Sequence, residues 1–85
     1  MALYLISYDL LNKKTFGDYE TLISELRKLG AKEALFSQWL LRSSVSSSQI
    51  RDFLKKFIHS DDRVLVTEIS TNWAGRNLIV DPNKF

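Results

Sequence analysis

Cysteine is absent from this sequence of 85 residues, and histidine occurs only once. Without cysteine the chain can form no disulfide, no thiolate nucleophile and no cysteine-based zinc site. The single histidine, His59, stands alone beside an expected helix end, which excludes a histidine metal cluster. The lack of cysteine agrees with a reducing compartment, so we expect a cytoplasmic protein.

Long apolar runs and a large excess of charge are also lacking. The apolar run at residues 1–8 is too short to cross a bilayer and has neither the basic flank nor the cleavage site of a signal peptide, so we expect no membrane association. Twelve basic and ten acidic side chains give a net charge of +2, which permits a local nucleic-acid-binding patch without requiring one. The apolar content of 45% is sufficient for a hydrophobic core, and we expect a single domain over residues 1–85.

The first nine residues predict a β-strand that ends in a carboxylate. Because side chains alternate along a strand, they form two sets, Leu3, Leu5, Ser7 and Asp9 on one face and Tyr4, Ile6 and Tyr8 on the other. A carboxylate at the end of an apolar strand needs water, a partner or a metal ion. Asp9 is therefore a candidate site residue.

Two segments have the apolar spacing of amphipathic helices. Residues 15–18 have the spacing of a capping box, which predicts that the first helix begins there, and Gly30 predicts its end in a left-handed conformation. The serine cluster at residues 43–48 supplies N-caps for the second helix. The stripes consist of Tyr19, Leu22, Ile23, Leu26 and Leu29 in the first helix and Ile50, Phe53, Leu54, Phe57 and Ile58 in the second.

The remaining apolar segments favour extended chain. Residues 34–41 show no helical stripe and predict two short strands joined at a bend. Residues 63–70 are rich in β-formers, and residues 78–80 predict a last short strand before Asp81 and Pro82. The order is then β-α-β-β-α-β with an extra C-terminal strand, the split βαβ pattern of an α+β, ferredoxin-like fold with an antiparallel sheet.

Such an arrangement leaves one face of the sheet without helices. An apolar face of that kind needs a cover, and for so small a domain a second copy of the chain is the simplest one. We therefore predict a homodimer through the open sheet face.

Two short segments give the chain a resemblance to a known family. The first strand ends Ser7-Tyr8-Asp9-Leu10, and the sequence Phe36-Ser37-Gln38-Trp39 follows the first helix. Together with the order of elements, they make the chain similar, over nearly its whole length, to the small CRISPR-associated adaptation proteins of the Cas-two family and the related VapD-type toxins. In that family the first strand ends in Tyr-Asp, and a Ser-Val-Phe segment follows the first helix.

Several positions differ from the family pattern. Gln38 and Trp39 replace the Val and Phe, Leu40 replaces an acidic residue, and the basic pair expected after the aspartate is Lys13-Lys14. These differences indicate a divergent member.

The resemblance implies a dimer that binds RNA or DNA and whose first-strand aspartates face each other across the dimer axis. Asp9 matches that aspartate and Ser37 matches the family's serine, which would make both catalytic and Asp9 the metal ligand. Two such carboxylates repel unless a cation or a proton lies between them, and Mg²⁺ would support phosphodiester hydrolysis there. The resemblance therefore implies a magnesium-dependent endonuclease.

Other functions remain open at this point. Some family members form a non-catalytic bridge for DNA beside an integrase, so a CRISPR integrase subunit is an implied partner. A third interpretation is a protein-interaction or toxin–antitoxin component that binds its partner through the open sheet face. On residues alone, Asp9 could also cap the turn that follows it, and Ser37 could be an ordinary hydrogen-bonded strand residue.

Basic and aromatic side chains supply candidates for nucleic-acid contacts. Arg42 beside the serine-capped helix start predicts an anion site, and Trp73 beside Arg76 could stack on a base. The alternatives are a solvated basic face and, for Trp39 and Trp73, a place in the core or a dimer contact. The residues predicted to bind phosphate are Lys13, Lys14, Arg42, Arg51, Lys55, Lys56 and Arg76.

Overall fold

A four-stranded antiparallel sheet with two helices forms the described part of the protein. The computed structural model describes residues 1–11, 16–70 and 72–84, without the side chains of residues 16–19 and 84. In chain order the elements are β1 (Ala2–Asp9), α1 (Phe16–Lys28), β2 (Lys32–Leu35), β3 (Gln38–Ser43), α2 (Ser47–Leu54) and β4 (Arg63–Ile69), with 3₁₀ turns at Lys55–Phe57 and Pro82–Lys84. The strands lie in the order β2-β3-β1-β4, and every neighbouring pair is antiparallel.

The predicted α+β class is confirmed, and the arrangement is compatible with a ferredoxin-like fold. The apolar segment after the first helix forms β2 and β3, joined at residues 36–37, as the sequence predicts. The capping box at residues 15–18 depends on a residue and a side chain outside the described part of the chain.

Neither described helix has the length and apolar content that a membrane crossing requires.

The end of α1 and the start of α2 both have the backbone that the sequence predicts. Gly30 has φ +91°, a left-handed conformation that glycine adopts without Cβ strain, and it follows α1 directly after Leu29. Ser46 caps α2, because its side chain accepts from the backbone N–H of Gln49 while the Gln49 side chain accepts from the backbone N–H of Ser46. This reciprocal pair is a capping box with Gln in the acceptor position.

The main hydrophobic core lies between the sheet and the helices, on what we call the helix face. Alternate residues of β1 point into it, and α1 and α2 contribute the leucines that cover them. Ile6 and Leu54 are completely buried there. The buried members of this core are Tyr4, Ile6, Tyr8, Leu22, Leu26, Ala31, Trp39, Leu41, Ile50 and Leu54.

The opposite face of the sheet, which we call the open face, carries a smaller cluster. Leu3, Ala34 and Leu40 are buried there, and Leu5, Ile69 and Val80 pack against them. Val80 belongs to the segment after β4, so the chain's own C-terminal residues cover part of this face. The chain itself thus supplies part of the cover that the open face needs, at Val80, and the second copy of the chain remains a prediction for the rest of the face.

The predicted fifth strand at residues 78–80 is not a strand in the part of the chain that the structure describes. The backbone N–H of Ile79 donates to the carbonyl of Ala34 at 3.0 Å, and the Arg42 guanidinium donates to the carbonyl of Pro82 at 3.1 Å. Asn77, with φ 57°, turns the chain just before the segment. The positive φ of Asn77 precedes the segment and Pro82 follows it. The extended chain between them is too short to form the regular hydrogen bonds of a β-strand.

Candidate functional site

The site predicted from the sequence lies in a groove at one end of the open face. Because β1 is antiparallel to both neighbours, its C-terminal end lies beside the first residues of β3 and β4. Asp9 at the end of β1 therefore meets Arg63 at the start of β4 and the turn at residues 36–37 that precedes β3. We call this open depression the Asp9 groove; the residues that matter for its chemistry are Ser7, Asp9, Phe36, Ser37, Arg63 and Leu65.

Asp9 is exposed and opposite in sign to its cross-strand neighbour. It is directly opposite Arg63 in the β1–β4 register, so the two side chains leave the sheet on the same face. Within the described residues, neither side chain has a hydrogen bond or an ion pair within 4.0 Å. Both are therefore available to a ligand from outside the chain. The alternative in which Asp9 caps the following turn receives no support from the described hydrogen bonds.

Ser37 lies in the same groove as Asp9, on a strained backbone. Its φ of 61° places a residue with a Cβ in the left-handed region, which costs about 1–2 kcal/mol relative to the ordinary conformations. Its carbonyl accepts from the backbone N–H of Tyr8 at 3.3 Å, which ties the turn to β1. The two residues predicted as catalytic are thus brought together at one end of the sheet.

The predicted nucleic-acid-binding residues are not gathered around this groove. Arg42 lies opposite Leu3 in the β1–β3 register. Leu3 is six residues before Asp9 on β1, so Arg42 is about 20 Å from Asp9 along the strand direction. Trp73 lines a second depression beside Arg42 at that far end of the sheet. Arg51 lies on α2 and forms an ion pair with Asp52 at 2.9 Å. Arg76 is exposed in the segment after β4, and Lys13 and Lys14 are outside the described residues.

The anion site predicted near the start of α2 is not assembled in the described geometry. The capping box already uses the Ser46 side chain and the Gln49 amide. Arg42 donates to the carbonyl of Pro82, so its guanidinium serves to anchor the C-terminal segment. The side chains predicted to bind the anion therefore already take part in intramolecular bonds.

Trp39 is a core residue and not a base-stacking one. It is buried against β1 and α1, its ring nitrogen donates to the hydroxyl of Tyr8 at 3.4 Å, and the Arg27 guanidinium lies over its ring at 5.9 Å. The interpretation of this tryptophan as part of the core is therefore the correct one.

Among the described residues that line the groove, Asp9 supplies the single carboxylate for a metal ion. Among the residues whose placement is described, no three His, Asp or Glu side chains lie close enough together to hold an ion. Asp9 with the hydroxyls of Ser7 and Ser37 offers only hard oxygen donors. This set fits the way Mg²⁺ binds through one or two carboxylates plus water and phosphate oxygens, and it does not fit an all-protein cage.

Two residues of the groove were missed by the sequence analysis. A ferredoxin-like strand order pairs β1 with β4 in antiparallel orientation. This pairing places Arg63, at the start of β4, beside Asp9, at the end of β1, so the predicted fold already pointed to Arg63. Phe36 was read as part of an apolar strand, yet it occupies the turn and is 85% exposed. Its signal was weak because no turn residue such as Gly or Asn marks residues 36 and 37.

No protein-family model matches this chain, and no solved structure is significantly similar to it.

Proposed function

We propose that the chain is a homodimeric, Cas-two-like nucleic-acid-binding protein whose Asp9 groove hydrolyses phosphodiester bonds with Mg²⁺. One observation carries the proposal. Asp9 and Ser37 come from separate sequence motifs, and they line a single exposed groove on the face that has no helices. An unpartnered carboxylate beside a hydroxyl on a strained turn is more typical of a site than of a structural contact.

The dimer in this proposal uses the uncovered part of the open face. Leu5 is half-buried and Leu65 is 61% exposed, although both belong to strands. A second copy packed on these residues would remove apolar surface from water and bring two Asp9 side chains near a two-fold axis. The ferredoxin-like strand order supports this proposal because it leaves that face free of helices.

The chain's own residues would divide the work in the following way. Asp9 from each copy binds the cation, and the Ser37 hydroxyl donates a hydrogen bond to a phosphate oxygen. Mg²⁺, when bound, supplies the polarisation of the phosphate and the activation of a water molecule. Arg63 neutralises charge that develops on the phosphate as the bond to the leaving oxygen breaks.

A second candidate is binding without hydrolysis, either as a bridge for nucleic acid or beside a protein partner such as an integrase subunit. The neighbourhood of Arg63 favours this alternative, because a guanidinium directly opposite Asp9 opposes the binding of a divalent cation at that carboxylate. A guanidinium is itself a good phosphate ligand, so the groove could bind a nucleic-acid backbone without metal.

The deciding experiment is a cleavage assay on purified wild type, Asp9→Asn and Asp52→Asn with labelled RNA and duplex DNA, in Mg²⁺ or EDTA. Asp52 is the matched control, since it is an exposed aspartate on α2, whose buried residues pack on the helix face. We expect cleavage by wild type and Asp52→Asn in Mg²⁺ alone and at least a hundredfold loss in Asp9→Asn. Equal cleavage by all three proteins would refute the assigned site. Salt-sensitive binding without cleavage would favour the bridging function.

The dimer is tested separately by sedimentation at micromolar protein concentration. Leu65→Asp places a charge in the proposed interface and should give monomers, whereas Val45→Asp, at another exposed apolar residue, should not change the mass. A monomeric wild type would contradict the dimer.

A further inference from the structure

The turn that carries Ser37 also presents an aromatic side chain to solvent. Phe36 lies at the tip of the β2–β3 hairpin and is 85% exposed, and among the large apolar residues that the structure describes Met1 alone is more exposed. The hydrogen bond from Tyr8 to the carbonyl of Ser37 joins this tip to β1. The backbone of this tip is therefore anchored beside the Asp9 groove, and Phe36 is one of the residues that line the groove.

Arg63 supplies the groove's cationic group. Its guanidinium carries five N–H donors and, among the described residues, none of them is used in a hydrogen bond or ion pair. It therefore keeps its capacity for two parallel bonds to a phosphate. Arg42 and Arg51, by contrast, are already bonded to Pro82 and Asp52.

The charge of the groove limits what it can bind. Asp9 and Arg63 cancel each other, so non-specific attraction of a highly charged duplex would be weak at this site. Stacking on an aromatic ring does not depend on net charge, and it requires a base whose face is exposed. Bases in an intact duplex already stack on their neighbours, so the rim residue favours an unpaired base.

We infer that Phe36 and Arg63 form a nucleotide subsite beside Asp9, in which Phe36 stacks on an unpaired base and Arg63 binds the adjoining phosphate. The inference rests on the proposed function, because it supplies the positioning contacts for a phosphodiester bond at Asp9. Stacking fixes the base, the guanidinium fixes the phosphate, and the backbone between them then crosses the groove past Ser37.

The test is fluorescence anisotropy with a 5′-labelled single-stranded DNA of 12 nucleotides, the corresponding RNA and the DNA duplex, all in EDTA to prevent cleavage. Phe36→Ala should raise the Kd for the single strands about tenfold, and Phe36→Trp should leave it unchanged or lower it. Ile79→Ala is the matched control, since Ile79 is 65% exposed and lies outside the groove. Wild type should bind either single strand at least tenfold more tightly than the duplex.

Arg63→Gln tests the phosphate contact. It should raise the Kd about fivefold at low salt and reduce the slope of log K against log salt by about 0.7, the value for one contact to a single strand. Lys28→Gln, at a lysine that pairs with Glu25 in the last turn of α1, should change neither quantity. All variants are compared at the same oligomeric state, measured by sedimentation, and after their circular dichroism has shown that they fold.

The outcomes separate this inference from the function on which it rests. If wild type binds single strands and both Phe36→Ala and Arg63→Gln bind them as tightly as wild type does, the subsite is refuted while the proposed function stands. If wild type binds none of the probes, the proposed function fails. Dissociation of a dimer by Phe36→Ala would show that Phe36 contacts a second copy, and duplex binding equal to single-strand binding would also overturn the inference.

Discussion

The two faces of the sheet are built from alternate residues of the same strands, yet they differ in how completely they are covered. On the helix face, Tyr4, Ile6 and Tyr8 of β1 are all buried under α1 and α2. On the open face, burial decreases along β1 from Leu3, which the C-terminal segment covers, through Leu5 to the exposed Asp9. The helix face of β1 is thus buried along its whole length. The open face of β1 is buried at its N-terminal end and exposed at its C-terminal end, where the candidate site lies.

The difference shows how a small domain can combine stability with exposed chemistry. In the part of the chain that the structure describes, the helix face gathers ten buried residues in one cluster, against three on the open face. The polar and charged residues of the groove lie where few buried side chains depend on them. Substitutions there are therefore expected to change binding more than folding, and substitutions on the helix face the reverse.

The largest effect is expected from a cavity on the helix face. Leu54→Ala removes a completely buried side chain, and it should lower the free energy of unfolding by about 2–5 kcal/mol, whereas Leu65→Ala, at a protein concentration that keeps the chain monomeric, should change it by less than about 0.5 kcal/mol. Urea unfolding followed by circular dichroism measures both. Because Leu54→Ala could prevent folding altogether, Ile6→Val serves as a milder variant with an expected loss of about 0.5–1.5 kcal/mol. Similar losses for Leu65→Ala and Leu54→Ala in the monomer would show that residues of the same chain cover Leu65.

A smaller effect is expected where the C-terminal segment covers the open face. Val80→Asp places a charge against Leu3 and Leu40 and should lower the free energy of unfolding by about 1–2 kcal/mol. It should also speed hydrogen exchange at the Ile79 amide, which donates to Ala34. Ile79→Asp is the control, because that side chain is largely exposed. If Val80→Asp leaves the exchange rate unchanged, the segment does not act as the cover.

Gly30 and Ser37 both have positive φ, and the effect of each on stability gives a third comparison. Gly30 lies at the end of α1, and Ser37 lies in the groove on the open face. Gly30→Ala adds Cβ strain at the end of α1 and should lower the free energy of unfolding by about 1 kcal/mol, although no atom lies near the added carbon. Ser37→Gly relieves strain in the groove turn and should raise it by up to about 1 kcal/mol. Thermal unfolding compares the two. A loss of stability in Ser37→Gly would mean that its hydroxyl has a structural role.

Most of the fold could be predicted from the sequence because local signals agreed with the tertiary structure. The apolar stripe and serine cap of α2, the glycine after α1 and the alternation in β1 each depend on residues within a few positions of one another. The error at residues 78–80 has a different cause. A short apolar segment reads as a strand, but whether it joins a sheet depends on a distant edge and on the positive φ of Asn77.

The site was predictable only in part. Asp9 and Ser37 were found from sequence motifs, and the strand pairing brings them together. The basic residues were predicted as one surface, but Arg42 and Arg51 lie on different elements and have intramolecular partners. Charge in a sequence does not reveal which side chains share a face, whereas the register of β1 and β4 identifies Arg63 at once.

The smallest effect concerns the charge balance of the groove. In EDTA, the Asp9 carboxylate repels a phosphate that binds Arg63, so Asp9→Asn should lower the Kd for a single strand by about twofold to fivefold at low salt. Asp52→Asn, far from the groove on α2, should not change it. In Mg²⁺ the order should reverse, because the wild type gains a cation at Asp9 and the variant does not. Anisotropy titrations of the three proteins in both buffers measure this. If Asp9→Asn binds more weakly in EDTA as well, Asp9 contacts the nucleic acid directly and not through a metal ion.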